Sequence, residues 1–175
     1  MHYLEQMCSS VTCIRNDKID IDSLDKYNGI VISPGPGLPN ETKNLYAIIE
    51  KWAPTKPILG ICLGHQAIGT FYGLELQNML EVHHGIDKNT LVVDRTEILF
   101  KGISKRFLSG RYHSWVLKQN YNDSPLKITS IDSNKNIMGI SHKKYNVKGI
   151  QFHPESILTP QGFKILKNWV ISLSN

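Results

Sequence analysis

No run of eighteen apolar residues occurs in this chain, so no segment reads as a transmembrane helix. Cysteine is scarce. Cys8, Cys13 and Cys62 are the only three, and no Cys-x-x-Cys pair exists, which disfavours a disulfide framework or a structural zinc site. Arginine is scarce too: of 20 basic residues only Arg15, Arg95, Arg106 and Arg111 are arginines, and the lysines never cluster in fives. Phosphate recognition favours the rigid fork of arginine, so the net charge of +5 reads as a solvated lysine surface and not as a nucleic-acid stripe. Repeats, low-complexity stretches and linkers are absent. Residues 1–10 contain Glu5 and lack the apolar heart of a signal peptide, so the expected compartment is the cytoplasm.

What is present suits one α/β domain spanning residues 1–175. At 41% hydrophobic and 20% charged residues, the chain can bury a full core without staples. Charge is uneven. Residues 1–87 carry a net −4 and residues 88–175 a net +9, which leaves a partner surface on the second half as an open reading.

Val11 to Ile14 reads as a short strand. Gly29 to Ile32 and Pro57 to Cys62 are continuous apolar runs, as expected of strands buried on both faces. Asn40 is positioned to cap a helix bearing Leu45, Ile48, Ile49 and Trp52. Leu63 to Tyr72 reads as the next helix. The second half reads as more antiparallel, with an extended region from Phe107 to Leu117 and strands at Leu126 to Ile131, Ile137 to Ser141 and Val147 to Phe152. Thr159 and Pro160 have the types expected at the N-cap and first position of a last helix that buries Phe163, Leu166 and Val170 beside Trp169.

The chemistry concentrates in Gly60-Ile61-Cys62-Leu63-Gly64-His65-Gln66. A nucleophile-type residue stands between a strand and a helix with glycine two residues away on each side, the pattern of a nucleophile elbow. Such a turn is tight enough to exclude side chains at those positions. It exposes the sulfur beside free helix N–H groups, which favour a thiolate and can hold an oxyanion. A buried packing cysteine is the alternative reading.

Of seven histidines, His153 has the best local context as a base. It follows a strand, and Glu155 shares its face of the extended chain, where a carboxylate can fix the imidazole tautomer. A surface or core histidine remains the alternative. Ser33-Pro34-Gly35-Pro36-Gly37 also ends a buried strand. It lacks the Lys-Ser/Thr ending of a phosphate loop, but its small residues would let a ligand reach the backbone. His83-His84 lacks a nearby third metal ligand, and Cys8 and Cys13 read as packing residues.

Together with Gly110-Arg111-Tyr112-His113-Ser114-Trp115, Gln151-Phe152-His153-Pro154-Glu155-Ser156 and Leu158-Thr159-Pro160-Gln161-Gly162, these windows resemble the class I, or triad-type, glutamine amidotransferases, in order and spacing over almost the whole chain. The branch most resembled is the amidotransferase subunit of anthranilate synthase, which the last window favours. The resemblance implies a three-layer, flavodoxin-like fold with a mostly parallel central sheet and an antiparallel extension. It makes Cys62 the nucleophile, His153 the base and Glu155 its orienter. It sets L-glutamine against the backbone of Gly35, Pro36 and Gly37, the Gln66 side chain and the backbone of Ser114 and Trp115, with Leu63 and Gly35 N–H groups at the oxyanion. Trp115 is a mild departure, since many relatives have leucine there.

The resemblance further implies ammonia delivery to a larger chorismate-binding subunit, anthranilate synthase component I, in a hetero-oligomer. No cofactor or metal is expected in this chain, and Mg²⁺ is expected in that partner. Its rivals are the corresponding subunit of aminodeoxychorismate synthase, a stand-alone γ-glutamyl hydrolase, and a basic binding module without catalysis. Relatives begin with a strand that has no counterpart here. Met1 to Gln6 resembles the second half of their first helix, so a hydrophobic gap is expected beside Gly29 to Ile32, with Met1 as an internal methionine.

Overall fold

The computed structural model describes all residues except 80–83, 119–123 and 175. The central sheet has seven strands, ordered β1 (Ile30–Ile32), β2 (Ile58–Ile61), β9 (Val147–Ile150), β8 (Ile137–His142), β7 (Leu126–Ile131), β4 (Ile86–Val92) and β5 (Arg106–Arg111). The first three run parallel, in registers such as Ile32 to Gly60 and Gly60 to Gly149, and the rest continue antiparallel. A separate antiparallel pair joins β3 (Glu75–Asn78) to β6 (Trp115–Lys118).

Alternation across the sheet builds two cores. On one face Ile30, Ile32, Ile58, Ile140 and Val147 pack against α2 (Leu45–Trp52) and α3 (Leu63–Phe71). On the other face Leu59, Ile61, Ile150 and Phe152 meet Ile165, Leu166 and Trp169 of α4 (Gly162–Ile171). This is a three-layer arrangement. Each of these buried aliphatic or aromatic side chains contributes about 1.5–3 kcal/mol. The parallel strands point their C-terminal ends at one rim, and the Pro-Gly loop, the Cys62 turn and the segment from Gln151 all leave from it.

Several local expectations are corrected. Residues 11–14 form no strand. Their alternating pattern needs a pairing neighbour, and among the described residues β1 pairs with β2 alone. Instead, a cavity of about 560 Å³ opens between the two segments, lined by Leu4, Met7, Val11, Ile14, Ile30 and Trp169 among others. The expected gap beside β1 is therefore real, and α1 (His2–Glu5) is a single short turn at its rim.

Residues 38–42 close a turn in which Thr42 N–H and Oγ1 both donate to the Leu38 carbonyl. Asn44 then adopts φ 69°, so α2 begins at Leu45 with Asn44, not Asn40, before it. The extended region at 107–117 is two strands, β5 and β6, in different sheets. Gln161, not Thr159, precedes α4. Its buried stripe is Gly162, Ile165, Leu166 and Trp169, while Phe163 is 37% exposed and Val170 half-buried. Cys13 is exposed and does not pack in the core, and Cys8 is half-buried.

Candidate active site

Cys62 sits between β2 and α3 with φ 51° and ψ −99°, a conformation costly for any residue with a Cβ. The turn is locked by neighbours: Cys62 N–H donates to Ile150 O at 2.9 Å, and Gln66 N–H donates to Cys62 O at 3.0 Å. The flanking glycines are steric necessities. A Cβ on Gly60 would collide with the Gly64 carbonyl, and one on Gly64 with the Ile32 carbonyl. The strain therefore presents the sulfur at the start of α3, whose first N–H groups have no partners within the helix. Gly35 packs beside this start, because a Cβ there would lie 3.0 Å from Leu63 Cδ2. Gly37 turns the same loop at φ 82°.

His153 approaches from the end of β9. Its Nδ1 is 2.7 Å from Glu155 Oε1. The other ring nitrogen, Nε2, is buried with no hydrogen-bond partner among the described residues. Burial by itself would lower the His153 pKa. The hydrogen bond to Glu155, and the favourable interaction of the imidazolium with both Cys62 and Glu155, push it up to about 9. For Glu155, burial pulls upward, but the hydrogen bond with His153 wins and holds the carboxyl below its usual range.

Of the residues the sequence singled out, the fold also pairs Gln66 with Trp115: Gln66 Nε2 donates to Trp115 O at 3.1 Å. Trp115 O is also 3.0 Å from His113 Nδ1, and Ser114 O accepts from Met79 N–H at 2.7 Å. Both carbonyls are thus already engaged within the protein. Among the described residues no group of three or more His, Cys, Asp or Glu is placed to hold a metal. His84 stands edge-on to Tyr112, and His83 lies outside the described residues.

Three neighbours escaped sequence reasoning. Tyr112 packs its ring against His153, centroids 4.8 Å apart, and its hydroxyl is 3.1 Å from Ser156 Oγ. Thr159 Oγ1 donates to the His153 carbonyl at 2.6 Å and accepts from Gly110 N–H at 2.9 Å. Gln151 is fully buried beside the sulfur. The Gly110-to-Trp115 and Leu158-to-Gly162 windows contained the first two residues, but no spacing rule links them to His153.

A strained cysteine, an imidazole charged through that cysteine and a carboxylate, and free N–H groups at a helix start define a thiol nucleophile site on an α/β sheet. The chain belongs to the class-I glutamine amidotransferase family, which it matches over residues 1–173. It is 40% identical over 164 residues to anthranilate synthase component 2 from Saccharolobus solfataricus, covering 90% of this chain and 83% of that one. It is 37% identical over 171 residues to aminodeoxychorismate synthase component 2 from Escherichia coli, covering 96% and 90% respectively. Its fold matches the crystal structure of a putative GMP synthase subunit from Thermoplasma acidophilum with a TM-score of 0.87, at 23% identity, over 99% of this chain and 85% of the other.

Proposed function

We propose that this chain is the glutamine-hydrolysing subunit of anthranilate synthase, which makes ammonia for a chorismate-binding partner. The observation that carries the glutaminase reading is Cys62, strained at the start of α3 beside an imidazole whose pKa is raised to about 9. The Cys62 thiolate attacks the side-chain amide carbon of glutamine. The oxyanion is held by N–H groups at Leu63 and Gly35, and one such donor is worth about 2.7–4 kcal/mol to the transition state. His153, as imidazolium, protonates the departing nitrogen, and ammonia leaves a glutamyl thioester. Neutral His153 then takes a proton from water as it attacks the thioester carbonyl, and glutamate and thiol are released. Glu155 keeps the ring in one orientation throughout. Side chains and backbone donors of this chain account for every step, and Mg²⁺ belongs to the partner's chemistry.

The Leu158-Thr159-Pro160-Gln161-Gly162 segment and the Saccharolobus relative support anthranilate synthase as the assembly. The Escherichia coli relative keeps aminodeoxychorismate synthase as the second reading. Reconstitution with the chorismate-binding subunit of each enzyme separates them. Glutamine-dependent anthranilate formation with the first subunit is the expected result. Glutamine-dependent activity only with the second would move the assignment to the folate-type enzyme.

A further inference from the structure

Gln151 has no role in the steps above, yet its side chain lies within hydrogen-bond distance of the nucleophile's sulfur. It follows β9, is fully buried, and its backbone N–H donates to Met138 O at 3.0 Å. Its side-chain Nε2 lies 3.6 Å from Cys62 Sγ, a hydrogen-bond distance for sulfur. Its Oε1 accepts from Gln66 Nε2 at 3.2 Å, and the same nitrogen donates to Trp115 O at 3.1 Å.

The orientation of both amides follows from the chemistry of the chain's end. Trp115 O can only accept, so Gln66 must turn its NH₂ toward it. That NH₂ then supplies its second hydrogen to Gln151, which must present oxygen to Gln66 and therefore NH₂ to the sulfur. A flipped Gln66 would face the Trp115 carbonyl with oxygen, and a flipped Gln151 would face the Gln66 NH₂ with its own NH₂, each costly for a buried amide.

We propose that Gln151 is a further catalytic residue: its amide N–H donates to the Cys62 sulfur, holds it in line with His153, and couples it through Gln66 to the substrate pocket. The sulfur then has two partners. His153 exchanges protons with the reacting groups, whereas Gln151 is a fixed donor that strengthens as the sulfur carries charge. Its anchor is the Gln66–Trp115 link, so loosening that link on glutamine binding alters the donor at the nucleophile. The coupling to glutamine rests on the reading of the function given above, whereas the donation to sulfur does not.

The test measures Cys62 alkylation by iodoacetamide, which needs no glutamine pocket, at one fixed near-neutral pH in the wild type, Gln151→Met and Gln151→Glu. Cys8 and Cys13 are replaced by serine in all three proteins. Loss of the donor slows alkylation about tenfold in Gln151→Met. Gln151→Glu is slower still, although Glu matches Gln in shape better than Met does. A merely structural role gives the opposite result, because a loosened core exposes the sulfur and speeds alkylation. Thermal melts of each variant identify that case. Wild-type or faster alkylation in a folded Gln151→Met protein overturns the proposal. A wild-type protein that alkylates at Cys62 but does not hydrolyse glutamine, alone or with a synthase partner, overturns the functional reading and leaves the Gln151 result to stand or fall by itself.

Discussion

The Thr159 hydroxyl donates to the His153 carbonyl at 2.6 Å while accepting the N–H of Gly110 at 2.9 Å. One buried side chain thus reinforces the direct bridge, His153 N–H to Gly110 O, that joins the histidine segment to β5. Replacing it by the isosteric valine keeps the volume and leaves the Gly110 N–H without this partner. Thr159→Val is expected to lose about 1–3 kcal/mol in urea denaturation. Glutaminase activity should fall with it, mainly in kcat, because the imidazole shifts and the glutamine contacts do not.

The elbow glycines give a graded stability series. Gly64→Ala forces a methyl into the Ile32 carbonyl, a clash with backbone that no rotamer relieves. A loss of about 3 kcal/mol or more is expected, or failure to fold. Gly73 also has a positive φ, 87°, but a Cβ there meets nothing within 4 Å. Gly73→Ala should therefore cost only about 1–2 kcal/mol of backbone strain. Equal losses in chemical denaturation would contradict this steric account of the elbow.

Two histidines make stability fall on both sides of a maximum near pH 6.5. His153 is held at about 9 when folded, so the native state binds its proton more tightly than the unfolded chain. That contribution is complete below 6.5 and is lost as the pH rises through 9. His65 is fully buried, and burial pushes it down to about 3, so the unfolded chain takes up a proton that the native state refuses. Its contribution is complete above 6.5 and is lost as the pH falls toward 3. Denaturation midpoints across pH 5 to 9 check this. The alkaline limb should flatten in Cys62→Ala, which removes one of the groups that raise His153.

Cys62→Ala should reduce glutamine-dependent amination by about 10⁴-fold or more, since no other thiol stands at the site. In complex with the synthase partner, ammonium chloride should restore amination to the wild-type, ammonia-dependent rate. Glutamine-supported amination at an undiminished rate in Cys62→Ala would remove the cysteine from the mechanism.

Much of the site could be read from sequence because its geometry is imposed locally. The glycines at 60 and 64 are required by the turn that carries Cys62, and Glu155 stands only two residues from His153, although a turn closed by Ser156 N–H on the His153 carbonyl, and not the expected extended chain, brings the two together. The buried strands at Ile30 and Ile58 were equally visible as unbroken apolar runs. What stayed hidden depends on distant partners. Thr159 has the residue type of a helix cap but serves residues 6 and 49 positions away. Glu75–Asn78 is too polar to read as a strand, and it becomes one only because β6 lies alongside. Residues 11–14 show the reverse: a strand-like pattern with no neighbour to pair with. Gln151 looked like an ordinary residue of the strand expected over Val147 to Phe152, and only the fold brings its amide to a sulfur 89 positions away.

The exposed side of β1 bears on how the protein behaves at high concentration. Its backbone groups face a cavity of about 560 Å³ lined by Ile30, Val31 and Trp169, with no strand alongside among the described residues. Such an edge is a template for intermolecular pairing, and apolar β-branched side chains beside it make the pairing favourable. Self-association should therefore begin at β1, on an edge whose cavity lining includes none of the residues of the cysteine site. Aggregation and catalysis are thus separable properties. Val31→Lys, or a proline in the 11–14 segment, would act on the first and leave Cys62, His153 and Glu155 untouched.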